Sequence, residues 1–206
     1  MIKNVVFDIG NVLVQFRWKE VMIELGYSEE QIQALFKGLF LSNWWSEWDR
    51  GVIPEEELFE AMRKECKGLE NEMLKFMEHK GELVLQFDYV IRWMKELKAK
   101  GMKIYLLSNY PSSLFELHME KSFTFVPYVD GKIISGYVKH IKPEKEIYSI
   151  LLDTYKLKAE ECVFLDDMEA NIIGAREMGM KGIVFKNYDE AHKELKRIID
   201  QTAKMV

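Results

Sequence analysis

Short unbroken apolar runs alternate along most of the chain with stretches whose apolar residues return every three or four positions. Val5-Val6-Phe7 ends at Asp8, Lys103–Leu107 runs into Ser108, and Cys162–Leu165 runs into Asp166; Gly182–Phe185 and Phe123–Val126 are weaker runs of the same kind. An unbroken run suits a parallel strand buried on both faces. Helical patterns fill residues 88–100, 112–121, 143–156, 169–178 and 188–203, and Gly101 and Gly179 stand just past helix ends, where a left-handed residue is wanted. Strands and helices in this alternation predict an α/β fold with a doubly wound parallel sheet. Asp130-Gly131, between Val129 and Ile133, reads as a hairpin turn and so as a local antiparallel excursion.

Residues 15–83 break the alternation and read as helix throughout. Ser28 and Gln31 have capping-box spacing, and Ile32, Leu35, Phe36, Leu39 and Phe40 then follow one apolar face. Pro54 suits the first turn of a further helix, with Leu58, Ala61, Met62 and Cys66 inward and Gly68 after its end. An all-helical block set between the first strand and the rest of the sheet predicts an inserted small cap (15–83) on a core made of 1–14 and 84–206.

Composition narrows the classes of function. The 206 residues are 48% hydrophobic and 31% charged, an ordinary globular balance. A net charge of -5 offers no general attraction for nucleic acid or an anionic membrane, and no apolar run approaches the ~20 residues of a membrane span. The N-terminus enters a strand directly and lacks the features of a signal peptide, so a cytoplasmic location is expected. Cys66 and Cys162 fit no metal spacing, and Cys162 opens an apolar strand as a small hydrophobe would. Oligomeric state is left open.

In an open α/β sheet, ligands gather outside the carboxyl ends of the strands. Polar groups stand at four such places: Asp8, Ser108-Asn109, Lys142-Pro143 before the 143–156 helix, and Asp166-Asp167. Each has a plain alternative as a turn, cap or solvated residue. Two adjacent carboxylates at a strand end repel each other, however, unless a cation compensates. That points to a metal, with Lys142 as a second counter-charge.

Phe7-Asp8-Ile9-Gly10-Asn11-Val12-Leu13, Leu107-Ser108-Asn109, Lys142-Pro143 and Phe164-Leu165-Asp166-Asp167 followed by Asn171 resemble, in order and context, the four motifs of the haloacid dehalogenase-like superfamily. The likeness covers essentially the whole chain, helical insertion included. The opening motif is similar to bacterial sugar-phosphate phosphatases acting on hexose 1-phosphate, and the Asp-Asp-x-x-x-Asn stretch to the phosphatase domain of soluble epoxide hydrolases. The resemblance implies a phosphatase acting on a small phosphorylated metabolite such as a sugar phosphate, with Asp8 as the transiently phosphorylated nucleophile. It implies Mg2+ held by Asp8, the Gly10 carbonyl and Asp167, and phosphate held by Ser108, Asn109 and Lys142. Asp166 would pair with Lys142, and Asn171 would fix the acidic loop.

One position departs from the family. Most of its phosphatases carry a second Asp two places after the nucleophile as general acid and base; here Gly10 stands there. The expectation is that the departing oxygen leaves with little enzymatic protonation, helped only in part by Glu47, Asp49 or a water. Gly10 also counts against a phosphomutase, which needs that carboxylate, and is the one feature in favour of a non-enzymatic phospho-ligand-binding domain. A dehalogenase would not need the metal that Asp166-Asp167 invite. In the helical block, Trp44, Trp45 and Trp48 are interleaved with Glu47, Asp49 and Arg50. Trp44, Trp45, Glu47 and Asp49 are candidates for reading a sugar ring; cap packing is the competing account of the tryptophans. His118 and His140 are expected to be incidental, His140 lying near the Lys142 site.

Overall fold

The computed structural model describes residues 1–203, and of the side chains those up to 201. The chain begins with β1 (Asn4–Phe7) and β2 (Val14–Phe16). The helices α1 (Trp18–Glu24), α2 (Glu29–Phe36), α3 (Trp44–Arg50), α4 (Glu55–Glu65) and α5 (Glu70–Glu78) follow, with a π turn at Lys37–Leu41. Then come β3 (Val84–Gln86), α6 (Tyr89–Ala99), β4 (Lys103–Ser108), α7 (Ser112–Lys121), β5 (Gly131–Ile134) and the single turn α8 (Ser135–Val138). The chain continues through α9 (Lys145–Thr154), β6 (Cys162–Asp166), α10 (Glu169–Glu177), β7 (Lys181–Val184) and α11 (Tyr188–Ala203).

Five strands form one sheet in the order β5-β4-β1-β6-β7, all parallel. β1 is central and fully buried, and so is β6, as their unbroken apolar sequences require. The chain winds from β1 outward first through β4 and β5, then back through β6 and β7. The order therefore reverses beside β1, where the carboxyl ends of β1, β4 and β6 surround one crevice. Apolar side chains pack both faces: Val5, Phe7, Leu106 and Val163 on one, Val6, Leu107, Phe164 and Tyr148 on the other.

Three expectations are corrected. The 15–83 stretch is not helical throughout: β2 pairs antiparallel with β3, Val14 opposite Gln86 and Phe16 opposite Val84, so a short ribbon joins the helical block to the sheet. Asp130-Gly131 makes no hairpin, because β5 runs parallel to β4. Asp130 is instead tied to the start of β4: its carboxylate accepts from the Ile104 N–H at 2.9 Å and from Lys98 and Lys103, and its own N–H donates to the Ile104 carbonyl. Gly131 lies directly under the Tyr155 ring, with no room for a Cβ. Phe123–Val126 is not a strand. Phe123 and Phe125 are buried and stack at 5.0 Å between ring centres, but the chain turns into a 3-10 turn at Val126–Tyr128 that contains Pro127. Burial alone produced that apolar run.

Local chemistry otherwise acts as expected. Ser28 and Gln31 form the reciprocal capping box of α2, and Gly101 and Gly179 take φ of 75° and 85° after α6 and α10. Pro54 is the N-cap of α4, one place before the helix begins. The 143–156 helix is shorter than its pattern: Glu144 is the N-cap and α9 starts at Lys145, after a cis peptide at Lys142-Pro143.

Candidate active site

The crevice at the switch point holds a cavity of about 240 Å3. Its floor is Asp8 from the end of β1, Gly10 and Asn11 from the turn after it, Ser108 and Asn109 from the end of β4, and Asp167 from the end of β6. The structure thus brings together groups from positions 8 to 167 that have no local reason to meet.

Lys142 organises the floor from beneath. The residue is 3% exposed, and its ammonium lies 2.9 Å from Asp8 Oδ1 and 2.7 Å from Asp166 Oδ2. Burial alone would lower Lys142, but the two carboxylates outweigh it and hold the ammonium above its ordinary pKa. The Asn109 side chain grips the Lys142 backbone at both ends, donating to its carbonyl at 3.0 Å and accepting from its N–H at 2.7 Å. Hence Asn109 locks the lysine loop as well as lining the cavity.

Asp8 is oriented with equal economy. Oδ1 accepts from the Ile9 N–H at 2.7 Å and the Ser108 hydroxyl at 2.7 Å, in addition to Lys142. All three donors converge on one oxygen and leave Oδ2 for an incoming group. Burial pushes the Asp8 carboxyl up to about 7, with Lys142 and Ser108 pulling against it and Asp166 adding to the rise.

The adjacent acids divide. Asp166 is fully buried, and its oxygens accept from Lys142, from both contacts of the Asn171 amide (3.0 and 3.1 Å) and from the Met168 N–H. Asp167 is half-buried and lines the cavity; burial raises its carboxyl above the usual range while a 3.0 Å hydrogen bond from Asn11 works against that. Carboxylate oxygens of Asp8, Asp166 and Asp167 all lie within 4.8 Å of one another. One lysine faces three carboxylates, and the all-oxygen donor set suits a hard divalent cation.

The rest of the cavity is largely apolar: Val14 and Phe16 of β2, Val84 of β3, Trp45 of α3, and Tyr110, Pro111, Leu114 and Met168. Of the four residues of the helical block singled out in the sequence, Trp45 and Asp49 line it; Trp44 and Glu47 do not. Trp44 packs half-buried against the core, and Glu47 sits 3.8 Å from Arg50. Trp48 is core, 2% exposed, with its indole N–H donating to Glu55 at 2.8 Å. His140 lies 3.4 Å from Glu144, outside the cavity lining, and buried His118 bonds Tyr110 Oη at 2.5 Å and the Lys80 carbonyl at 2.8 Å.

Sequence reading passed over three contributors. Asn11, at φ 54°, aims its amide at Asp167; an Asn after Gly is a signal for the left-handed turn, though not for the contact. Ser135 receives the Tyr110 N–H at 2.8 Å and donates to the Asp49 carbonyl at 2.5 Å, joining the β4 loop to α3. Arg50 forks onto Glu144 at 2.6 and 3.0 Å. These last two pairings span 86 and 94 residues, and nothing local announces either.

Comparison with known proteins agrees with this architecture. The sesquiterpene phosphatase astK of Aspergillus oryzae is 23% identical over 198 residues, 96% of either chain. Drimenol cyclase drtB of Aspergillus calidoustus is 25% identical over 207 residues, 98% of this chain but 38% of that protein. The bifunctional epoxide hydrolase 2 of Mus musculus is 39% identical over 109 residues, half of this chain and 19% of that protein. The chain thus spans well under half the length of two of these relatives and nearly all of the third. A HAD family enzyme of Bacteroides thetaiotaomicron, crystallised with magnesium and inorganic phosphate, superposes with a TM-score of 0.71 at 22% identity, over 90% of this chain and 95% of that one. A family model of haloacid dehalogenase-like hydrolases matches residues 2–179. With that match over a parallel sheet whose switch point gathers Asp8, Ser108, Lys142 and Asp167, the chain belongs to the haloacid dehalogenase-like hydrolases.

Proposed function

We propose that the protein is a Mg2+-dependent phosphatase that hydrolyses a small phosphorylated metabolite through an aspartyl-phosphate on Asp8, the helical block serving as a cap over the cavity. The observation that carries this reading is Asp8 itself. Lys142, Ser108 and the Ile9 N–H hold one of its oxygens, and the other is left to attack phosphorus at the cavity floor. Splitting one difficult displacement into two through a covalent intermediate is the use of such a carboxylate. When phosphate binds, the Ser108 hydroxyl turns from Asp8 Oδ1 to a phosphoryl oxygen, the Asn109 N–H holds another, and Lys142 offsets their charge.

Asp8, Asp167 and the Gly10 carbonyl would hold the metal, Asp166 being consumed by Lys142 and Asn171. When bound, Mg2+ supplies positive charge that lets a phosphate dianion approach Asp8. Asp167→Asn is therefore expected to weaken Mg2+ binding, read by titration calorimetry, well beyond Asp166→Asn, whose larger effect falls on thermal stability. Equal losses of Mg2+ affinity would mean the two acids share the role.

The shape of the cavity bears on the substrate. A sugar phosphate needs polar partners for its hydroxyls, yet the Asn11 amide is engaged by Asp167 and by the Phe16 N–H, and the Asn109 amide by Lys142. Among the described lining residues away from the floor, Asp49 is the remaining acidic group, set among Phe16, Trp45, Val84 and Leu114. This lining favours a leaving group with an apolar or planar face over a polyhydroxylated one, in keeping with the relationship to a sesquiterpene phosphatase. Competition between small aryl or prenyl phosphates and hexose 1-phosphates, by kcat/KM with and without Mg2+, tests both points. A hexose phosphate preferred over every apolar ester would restore the sugar reading. Phosphate moved between positions of one substrate rather than released would make the enzyme a mutase. An Mg2+-loaded protein that binds phosphate and turns nothing over would be a ligand-binding domain.

A further inference from the structure

The carboxylate absent at position 10 has a counterpart across the cavity. We infer that Asp49, presented by the last turn of α3, is the general acid and base of the reaction, doing from the helical block what a side chain beside the nucleophile would otherwise do. The inference rests on the phosphatase reading above.

Elimination and placement carry it together. The titratable side chains lining the cavity are Asp8, Asp49, Tyr110 and Asp167. Asp8 is the nucleophile, and Asp167 is engaged by Asn11 on the metal side. The Tyr110 hydroxyl is bonded to His118, and burial holds it well above its ordinary pKa, so it is a poor acid. Of the other candidates, Glu47 faces Arg50 and His140 faces Glu144, both outside the lining. Asp49 remains, on the helical-block side of the cavity, among the apolar groups that would surround a leaving group.

Its position is built, not incidental. The Asp49 carbonyl accepts from Ser135, whose hydroxyl also takes the Tyr110 N–H, so Asp49 is keyed to the loop that carries Ser108 and Asn109. The next residue, Arg50, forks onto Glu144, the N-cap of the helix that follows Lys142. The carbonyl of Gly51, one residue further, accepts from Lys139 at 2.5 Å. Gly51 takes φ 68°, and a Cβ there would stand 2.9 Å from the Gly136 carbonyl; a Cβ on Gly136 would run into the backbone of Ser112. The seam between α3 and α8 closes only on glycine, and three successive residues at the end of α3 are fastened to the loops that hold the catalytic floor. The groups that face Asp49 are Asp8, Lys142 and Tyr110. Burial pushes its carboxyl up to about 8, with Asp8 adding to the rise and Lys142 opposing it.

The proton then has a closed path. Asp8 attacks phosphorus, the bond to the ester oxygen breaks, and that oxygen takes the proton of Asp49. Water next attacks the phosphoryl group on Asp8 and gives its proton to the Asp49 carboxylate as the Asp8–phosphorus bond breaks. Inorganic phosphate leaves, and both acids return to their starting states.

The test is kcat/KM for two aromatic esters of similar bulk, benzyl phosphate with a poor leaving group and 2,4-dinitrophenyl phosphate with a good one. Asp49→Asn should lose about 100- to 10,000-fold on the benzyl ester, the usual contribution of general acid catalysis, and little on the dinitrophenyl ester. With the dinitrophenyl ester the variant should also show a burst of phenolate, because hydrolysis of the phosphorylated Asp8 lacks its base. Asp49→Glu should recover part of the benzyl activity. Gly10→Asp combined with Asp49→Asn should recover it too, since Gly10 is not at positive φ and a Cβ there meets nothing within 4 Å. Equal losses on both esters, or none, would overturn the assignment. So would a steep dependence on the leaving group in the unsubstituted enzyme, a measurement that needs no variant to fold. If the unsubstituted enzyme turns over neither ester, or if Asp8→Asn retains turnover, the phosphatase reading itself fails.

Discussion

Asp8→Asn should lower turnover by about 10,000-fold or more while leaving the melting temperature equal to that of the parent or above it. An amide is no nucleophile toward phosphorus, and loss of the attacking group in enzymes that work through a covalent intermediate has effects of this order. The stability half of the expectation comes from the buried cluster. Two carboxylates, Asp8 and Asp166, share the one ammonium of Lys142. With an amide at position 8, one carboxylate and one ammonium remain, a balanced pair. The amide oxygen can still accept from Ser108, Lys142 and the Ile9 N–H, so no donor is orphaned. Thermal melts and turnover of an aryl phosphate check the two halves independently. Turnover retained in the variant would end the role of Asp8 as nucleophile; a large fall in melting temperature would mean that its charge is structural.

Lys142→Met should do the opposite to the fold and the same to activity. It removes the cation and leaves Asp8 and Asp166 facing each other, both buried. Breaking a buried ionic cluster by removing one partner typically costs about 3–5 kcal/mol. The pH dependence has a definite sign. Burial already raises Asp8 in the parent, and without Lys142 that rise is no longer opposed. A carboxyl whose folded pKa lies above its unfolded value of about 3.9 contributes stability that is fully present below the unfolded value. That stability is lost as pH rises through the folded pKa. The gap between variant and parent in urea denaturation, measured without divalent metal, should therefore be widest at neutral pH and above, and narrow toward pH ~4. A gap that does not change with pH would assign the loss to packing of the lysine stem rather than to charge.

The consequences of replacing Asp8 and Lys142 differ because the structure fixes what each group touches, and this marks the division between chain and fold. The central strands were legible because a strand covered on both faces must be apolar from end to end, as Val5-Val6-Phe7 and Cys162–Leu165 are. The helices between them were legible from their period and from glycines such as Gly101 and Gly179 that end them. The same reasoning failed at Phe123–Val126 and at Asp130-Gly131. A buried apolar run does not say whether a sheet edge lies beside it, and the Asp130 carboxylate spent its hydrogen bonds on a strand 26 residues away rather than on its own turn. The ribbon of β2 and β3 was hidden for a similar reason: three-residue strands carry almost no period, and their partners lie some 70 residues apart.

By itself, then, the sequence determined which polar residues stand at the strand ends. An Asp, a hydroxyl, a lysine and an acidic pair are specified by type and by their place at the ends of strands that must be buried, and both are local properties. The tertiary structure alone decided how those groups share their protons and charges. It decided that Lys142 serves two acids, that Asp166 is consumed while Asp167 is left to the cavity, and that Trp45 and Asp49 reach the cavity while Trp44 and Glu47 turn away. The seam that sets α3 joins Asp49 to Ser135 and Arg50 to Glu144 across 86 and 94 residues. Such contacts exist only once the chain has closed on itself, because neither partner's neighbours in sequence constrain the other.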